Sequence, residues 1–145
     1  MKITILSPEP GQEDEIIIRC HQLDEKLMDV IYSLKVSANK IAAFSEKGIT
    51  MLLPKDVYYF ESVDNKVFAY CEKQVFEVRK KLYELESDLS GTDFLRISKS
   101  VIVDLPKIRN LSPGFNGRLE ALLRNGEKIV ISRQYVPALK KKLDL

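Results

Sequence analysis

From residue 40 onward, apolar and polar residues alternate in short runs, as expected for β-strands with one buried face. Glycine, proline, asparagine and aspartate separate the runs, and these residues favour turns. Strands are predicted at residues 40–45, 48–53, 57–62, 67–71, 94–97, 101–105, 108–111, 119–124 and 128–132. The pattern therefore predicts a mostly β (α+β) domain.

Two stretches of this region have helical spacing instead. Apolar residues recur every three or four positions over residues 78–89, and Gly91 follows at the place of a left-handed C-cap. A short helix is also predicted to begin near Gln134, because Pro137 limits how far upstream a straight helix can extend. We expect the first helix to pack on a sheet.

The N-terminal part has a different order of elements. Short apolar runs at residues 1–6 and 16–20 predict two strands, with a turn-forming stretch between them. A helical stripe then begins at Leu23 and continues through Leu27, Ile31 and Leu34. We place a boundary after Asn39, so that residues 1–39 form a strand-strand-helix extension and residues 40–145 form the main domain.

An Asn-Gly pair at residues 125–126 predicts a two-residue hairpin of type I′, which requires positive φ at both central positions. This register places Arg124 opposite Glu127 as a cross-strand ion pair. It also brings Arg133, at the exit of the hairpin, beside Arg118. We therefore expect these two arginines to meet at one end of a sheet.

The composition is that of a soluble domain, with 45% hydrophobic and 30% charged residues in a chain of 145. The net charge of +2 is unevenly distributed: residues 92–145 carry 11 basic and 5 acidic side chains, a net charge of +6. The first 39 residues carry 4 basic and 7 acidic side chains, a net charge of −3. We expect a cytoplasmic protein whose C-terminal part contacts a polyanion, although such a face can also be merely solvated.

Residues for catalysis are scarce. The chain has one histidine, His21, and its cysteines, Cys20 and Cys71, are too far apart for a CxxC motif. Nucleotide-binding, zinc-protease and serine-hydrolase motifs are absent from the sequence. We therefore expect no enzymatic activity, cofactor, metal site or small-molecule substrate, and two reduced, partly buried thiols.

Several segments, taken in order, resemble the LytTR family of bacterial DNA-binding domains. The main one is FLRISKSVIVDL at residues 94–105; FNGR at 115–118, RNGEK at 124–128 and ISRQY at 131–135 follow it. The segments VYYFES at 57–62 and DNKV at 64–67 resemble the first half of that family. The resemblance covers roughly residues 40–145.

The resemblance implies packed antiparallel sheets with one or two helices, and a transcriptional regulator that inserts loops into successive major grooves of double-stranded DNA. It implies contacts from the loop near Lys66, from the R-x-x-K-S region and from the Ser-Arg segment before the last helix. Together with the arginine cluster, the candidate DNA-binding residues are Lys66, Arg96, Ser98, Lys99, Asn116, Arg118 and Arg133.

This sequence departs from the family at two positions. Ser98 stands where the family usually has histidine, and Asp104 where it usually has asparagine. Ser98 can still donate a hydrogen bond to a phosphate or a base edge, which would change specificity more than binding. Asp104 is expected past a strand end with a structural role, for example accepting local backbone hydrogen bonds.

The N-terminal extension is too short for the receiver domain that many LytTR regulators carry. We therefore expect control through abundance, homodimerisation or docking of a protein partner. The alternative to DNA binding is a protein-interaction module that titrates a membrane or signalling partner. The histidine replaced by Ser98 and the missing receiver favour that alternative, whereas the basic cluster favours DNA.

Overall fold

The computed structural model describes residues 2–38 and 40–145. In chain order its helices and strands are α1 (Glu25–Ala38), β1 (Ile41–Ser45), β2 (Gly48–Leu52), β3 (Val57–Val63), β4 (Lys66–Cys71), β5 (Val75–Val78), α2 (Leu82–Asp88), β6 (Phe94–Arg96), β7 (Val101–Asp104), β8 (Ile108–Pro113), β9 (Leu119–Leu123), β10 (Lys128–Ile131) and α3 (Val136–Lys142).

The strands form two antiparallel sheets. Seven strands make the larger sheet in the order β2-β1-β5-β4-β3-β7-β6, and three make the smaller sheet in the order β10-β9-β8. The predicted mostly β fold of packed antiparallel sheets is confirmed.

The larger sheet contributes residues to two hydrophobic cores. The first core lies under α2 and includes the fully buried Phe60 and Leu85. The second core joins the larger sheet to the smaller sheet and α3, with Val103, Leu123 and Leu139 at 0% exposure. Both cores draw their residues from Ile41 to Leu139, so the main domain supplies them.

The helix predicted over residues 78–89 begins later, at Leu82. Val78 instead ends β5, a strand that the apolar spacing did not predict. β5 lies between β1 and β4, and Phe76 and Val78 point into the first core. Tertiary pairing with two neighbours therefore overrides the helical spacing. Gly91 has the expected positive φ of +79°, but the C-cap of this helix is Leu89, so Gly91 lies in the turn after the helix and is not the predicted left-handed cap.

The hairpin between β9 and β10 has a three-residue loop, so the predicted type I′ turn is wrong. The amide of Leu123 donates to the carbonyl of Glu127 at 2.8 Å, and Gly126 takes the positive φ of +91°. The pairing Ala121↔Ile129 places two buried residues on the same face, whereas a shift of one residue would expose one of them. The hydrophobic face thus sets the register.

The change of register also removes the predicted ion pair between Arg124 and Glu127. The Arg124 Nε donates to the carbonyl of Pro106 at 2.9 Å. The Glu127 carboxylate accepts from the Tyr59 hydroxyl at 2.8 Å, which links the hairpin of the smaller sheet to the larger sheet.

The N-terminal strands predicted at residues 1–6 and 16–20 are not formed: residues 2–24 contain no strand, and Met1 lies outside the described residues. A strand needs a partner for its backbone groups, and these segments have no ladder. α1 begins at Glu25, after Asp24, whose carboxylate accepts from the amide of Leu27 at 2.9 Å. Asn39, at the proposed boundary, also lies outside the described residues.

The apolar stripe of residues 23–34 is only partly covered in the single chain. Leu23, which precedes α1, is 59% exposed and Leu34 is 40% exposed, whereas Leu27 and Ile31 are half-buried. Cys20 is exposed as well, which corrects the expectation of a partly buried thiol, whereas Cys71 is half-buried. Of the helices in the described part of the chain, none is long and apolar enough to cross a membrane.

Candidate nucleic-acid interface

Three connections lie at the same end of the two sheets, which we call the loop end. They are the β3–β4 turn (Asp64 and Asn65), the β6–β7 loop (residues 97–100) and the pair of segments carrying Arg118 and Arg133. Strand pairing explains their common position, because β3 runs antiparallel to both β4 and β7. The sheet registers therefore bring residues that are distant in sequence to one surface.

The β6–β7 loop is tied to both sheets. The amide of Ser62 in β3 donates to the carbonyl of Ser100 at 2.8 Å. The amide of Ser132, just after β10, donates to the carbonyl of Ile97 at 2.9 Å. Ile97 itself is fully buried in the second core. The loop is thus held at both ends while its middle, Lys99, is exposed to solvent.

Within this loop, Ser98 makes local contacts. Its Oγ accepts a hydrogen bond from the amide of Ser100 at 3.2 Å and lies 3.5 Å from the Ser100 hydroxyl. The Ser98 side chain is partly exposed. It can therefore brace the loop and still reach a ligand with its hydroxyl proton.

Arg118 and Arg133 both line one surface pocket of about 610 Å³. The pocket is lined by Ser98, Lys99, Ser100, Arg118, Ser132, Arg133 and Gln134. Every lining residue is basic or neutral and polar, so the pocket suits an anion or a hydrogen-bonding base edge. The structure therefore brings the two arginines together, as the sequence predicts, even though the predicted hairpin register is off by one residue.

The turn before Arg118 shapes this pocket. Asn116 has a left-handed backbone, with a φ of 56°, and Gly117 follows with a φ of +76°. A Cβ atom on Gly117 would lie 3.3 Å from the Arg133 Cδ. The bare glycine therefore lets the Arg133 side chain lie directly against the turn, and Asn116 has a conformational role there.

Lys66 is the first residue of β4 and follows a turn in which both central residues have positive φ, 51° for Asp64 and 62° for Asn65. This is the two-residue hairpin turn that Asp and Asn tolerate best after glycine. Lys66 is exposed. Its strand is two positions from β7, or ~10 Å at ~4.8 Å per strand, so Lys66 extends the basic surface beyond the pocket.

The charges at the loop end are mostly unpaired. Among the described residues, Lys99, Arg118 and Arg133 have no acidic partner within 4 Å, and all three are exposed. Arg96 differs from them. Its side chain is 21% exposed, and its Nη1 lies 3.9 Å from the Glu86 carboxylate. The structure thus separates three available cations from one that is already engaged.

Sequence reasoning missed three residues of the pocket, Ser100, Ser132 and Gln134. Ser100 and Gln134 directly follow the selected Lys99 and Arg133, and Ser132 directly precedes Arg133. Their signal was only adjacency to a basic residue, and serine and glutamine are common on any surface. They line the pocket because the β6–β7 loop and the segment after β10 share it.

Asp104 lies away from the pocket, as the last residue of β7, and is 7% exposed. Its carboxylate accepts a hydrogen bond from Lys107 Nζ at 2.9 Å, so the prediction of backbone partners is wrong. Burial raises the pKa of this carboxyl above its ordinary value, and Lys107 partly opposes that rise. Asp104 therefore has a structural role.

Comparison with known proteins identifies the domain type. A family model described as the LytTr DNA-binding domain matches residues 47–144, more than half of the chain. The sensory transduction protein LytT of Enterococcus faecalis is 32% identical over 100 residues, which cover 69% of this chain and 41% of that protein. LytT of Bacillus subtilis is 29% identical, covering 94% of this chain and 58% of its own length. This chain thus spans less than two thirds of these LytT proteins.

A relative of similar length and one solved structure add to this. An uncharacterised HTH-type transcriptional regulator of Staphylococcus aureus is 26% identical over 147 residues, covering 100% of this chain and 99% of that protein. The LytTr DNA-binding domain of a methyl-accepting/DNA response regulator from Bacillus cereus superposes with a TM-score of 0.70 at 24% identity. The superposition covers 73% of this chain and 97% of that one, and at this identity it shows the fold alone.

Proposed function

We propose, because this chain belongs to the LytTR family of DNA-binding domains, that it binds duplex DNA sequence-specifically and regulates transcription in a bacterial cytoplasm. Strands separate its three described α-helices along the chain, so no two of them form a consecutive helix pair that could enter a groove together. We therefore assign DNA recognition to the loops at the loop end. The observation that carries the proposal is the set of exposed cations without acidic partners that two sheets present there.

Affinity would come from phosphate neutralisation. Lys66 and Lys99 lie on or beside neighbouring loops of the larger sheet, and Arg118 lines the same pocket as Lys99. Each cation that neutralises a phosphate releases counterions, which makes binding depend on salt. We therefore assign Lys66, Lys99 and Arg118 to the DNA backbone.

Sequence reading would come from Arg133. Its guanidinium can donate two parallel hydrogen bonds to guanine O6 and N7 in the major groove. Its side chain packs against Gly117, which limits its freedom and favours one orientation. Ser98, on the facing loop, would add a hydroxyl donor to a phosphate or a base edge. Asn116 would act by shaping the turn that carries Arg118.

The test is a salt titration on a duplex selected from random DNA. We expect the logarithm of the affinity to fall linearly with the logarithm of the salt concentration, with ~0.9 of slope per neutralised phosphate. Lys99→Ala should lower the slope by ~0.9. The matched control is Lys73→Ala, an exposed lysine in the turn between β4 and β5 at the opposite end of the sheet.

Arg133→Ala should cost ~1 to 3 kcal/mol on the selected site and relax the preference at one base position. Arg118→Ala should weaken all sequences more evenly. Absence of binding even at low salt, or equal effects of the variants at positions 73 and 99, would contradict the proposal.

We also propose that the N-terminal extension mediates self-association. Its apolar residues have no core in the single chain: Ile3 is 86% exposed, Ile5 93% and Val30 46%. Exposed apolar area of this kind marks interaction surfaces. Its acidic charge disfavours contact with DNA, and a dimer would gain avidity on paired DNA sites.

Sedimentation equilibrium without DNA tests this. Val30→Glu together with Leu34→Glu, four residues apart on α1, should shift the protein toward the monomer. Ser33→Glu, on the same helix, is the control and should leave the mass unchanged. A wild-type protein that stays monomeric at high concentration would refute self-association without bearing on DNA binding.

A further inference from the structure

Arg96 points back into its own loop instead of outward. Its Nε donates to the carbonyl of Ser98 at 2.8 Å, and its Nη2 donates to the carbonyl of Lys99. Glu86 of α2 lies against the third nitrogen, with 3.9 Å between Nη1 and Oε1. The guanidinium thus bridges the loop and a helix of the first core.

These contacts complete a pattern along the whole loop. The neighbouring carbonyls of Ile97 and Ser100 accept from the amides of Ser132 and Ser62, as described above. Four consecutive carbonyl oxygens are therefore bound by protein donors, and Arg96 supplies the donors for the two in the middle. Without Arg96, these two oxygens would be free to turn toward the surface.

The direction of a carbonyl sets the direction of the next amide. In a trans peptide the C=O and N–H groups point to opposite sides. Because the carbonyl of Ser98 points to Arg96, the N–H of Lys99 points away from it. Within the described part of the chain, this N–H has no hydrogen-bond acceptor. An outward amide beside an ammonium group is a favourable place for a phosphate oxygen.

We propose that Arg96 is a positioning residue, which holds the β6–β7 loop so that the amide and ammonium groups of Lys99 face one DNA phosphate. Glu86 holds the guanidinium in place. The inference rests on the proposed DNA-binding function and changes the role of Arg96 from a DNA contact to a support behind the contact. Lysine cannot replace this arginine, because an ammonium group lacks the planar fork that reaches two carbonyls.

The DNA experiment separates the two roles by the salt slope. Loss of a positioning residue lowers affinity without changing the number of neutralised phosphates, so Arg96→Lys should weaken binding ~10-fold, a loss typical of a charged hydrogen bond. Arg96→Ala, which also removes the charge, should likewise weaken binding and still keep the wild-type slope, whereas loss of a direct phosphate contact would lower it. Lys99→Ala should lower the slope by ~0.9. Arg109→Lys, at an exposed position on β8, is the matched control and should bind as the wild type does.

A second measurement uses the full chain without DNA. The amide resonances of residues 98–100 should shift or broaden in Arg96→Lys, and to a smaller extent in Glu86→Gln, but not in Arg109→Lys. Thermal unfolding confirms that each variant is folded. This readout is independent of DNA binding, so a wild-type protein that fails to bind DNA would refute the proposed function while the loop effect is still decided.

Two results would overturn the inference. Arg96→Lys could keep both the wild-type affinity and the wild-type loop resonances, which would show that the bridge to the carbonyls is dispensable. Alternatively, Arg96→Ala could lower the salt slope by ~0.9 while the loop resonances stay in place, which would make Arg96 a direct phosphate contact.

Discussion

Replacing Gly117 with alanine should separate backbone strain from the placement of Arg133. The glycine has a φ of +76°, and a Cβ atom there would lie 3.3 Å from the Arg133 Cδ and 3.4 Å from its Cγ. These distances are tighter than ordinary van der Waals contact. The alanine methyl group would therefore both strain the backbone and push the arginine side chain off the turn.

The two effects have different sizes and different readouts. A left-handed alanine costs ~1 to 2 kcal/mol of folding free energy. At ~2 to 4 °C per kcal/mol for a chain near this size, the melting temperature should fall measurably. The binding loss should be a fraction of the ~1 to 3 kcal/mol assigned to a bidentate guanine contact, because Arg133 is displaced but not removed.

Gly126→Ala is the matched control. Gly126 also has a positive φ, +91°, but a Cβ atom there would meet nothing within 4 Å. It should lower stability in the same way and leave DNA affinity unchanged. In a double-mutant cycle, Gly117→Ala should cause no further loss of affinity when Arg133 is already alanine. Equal binding losses at the two glycines, or additive losses in the cycle, would refute the reasoning.

Two further predictions concern groups whose pKa is changed by burial. Burial raises the pKa of the folded Asp104 carboxyl, so as pH rises from about 4 the unfolded chain loses this proton before the folded chain does. Until the folded carboxyl also ionises, this residue should therefore make the free energy of unfolding fall with rising pH. Urea unfolding of Asp104→Asn between pH 4 and neutral pH should lack this decline in the free energy of unfolding. If the pH dependence of the variant equals that of the wild type, Asp104 is not the source of the decline. Burial raises the pKa of Cys71 to about 11, whereas Cys20 is exposed, so an aromatic disulfide reagent should react in one fast and one slow phase. Cys20→Ala should remove the fast phase, and a fast phase that persists would contradict the assignment.

The sequence predicted the strands of the main domain well because alternation reports the buried face directly. β3 was predicted at residues 57–62 and spans Val57–Val63, and β10 was predicted at 128–132 and spans Lys128–Ile131. Burial alternates along β10, whereas the first four residues of β3 are all buried and are shared between the two cores. Short strands with one or two buried faces can therefore be predicted largely from their own residues.

The failures come from contacts that local sequence does not contain. Only Val78, the last residue of β5, belongs to the predicted helix, because it lies four residues before Leu82. The pairing of β5 with β1 joins Val78 to Ala43, a contact that the local sequence does not reveal. The N-terminal segments at residues 1–6 and 16–20 have strand-like apolar runs, but residues 2–24 pair with no strand in the single chain. Alternation predicts a strand only where a sheet edge is available to pair with it.

The candidate site shows the same division between what is local and what is not. The prediction that Arg118 and Arg133 meet survived an error of one residue in the hairpin register. A shift of one position moves a strand end by only ~3.3 Å, and Arg133 leaves the sheet at once into a short turn. The inward direction of Arg96 could not be predicted, because it depends on loop carbonyls whose orientation is also set by Ser62 and Ser132. The sequence pattern therefore locates the basic surface. The distinction between contacting and positioning residues follows from hydrogen bonds that only the folded chain contains.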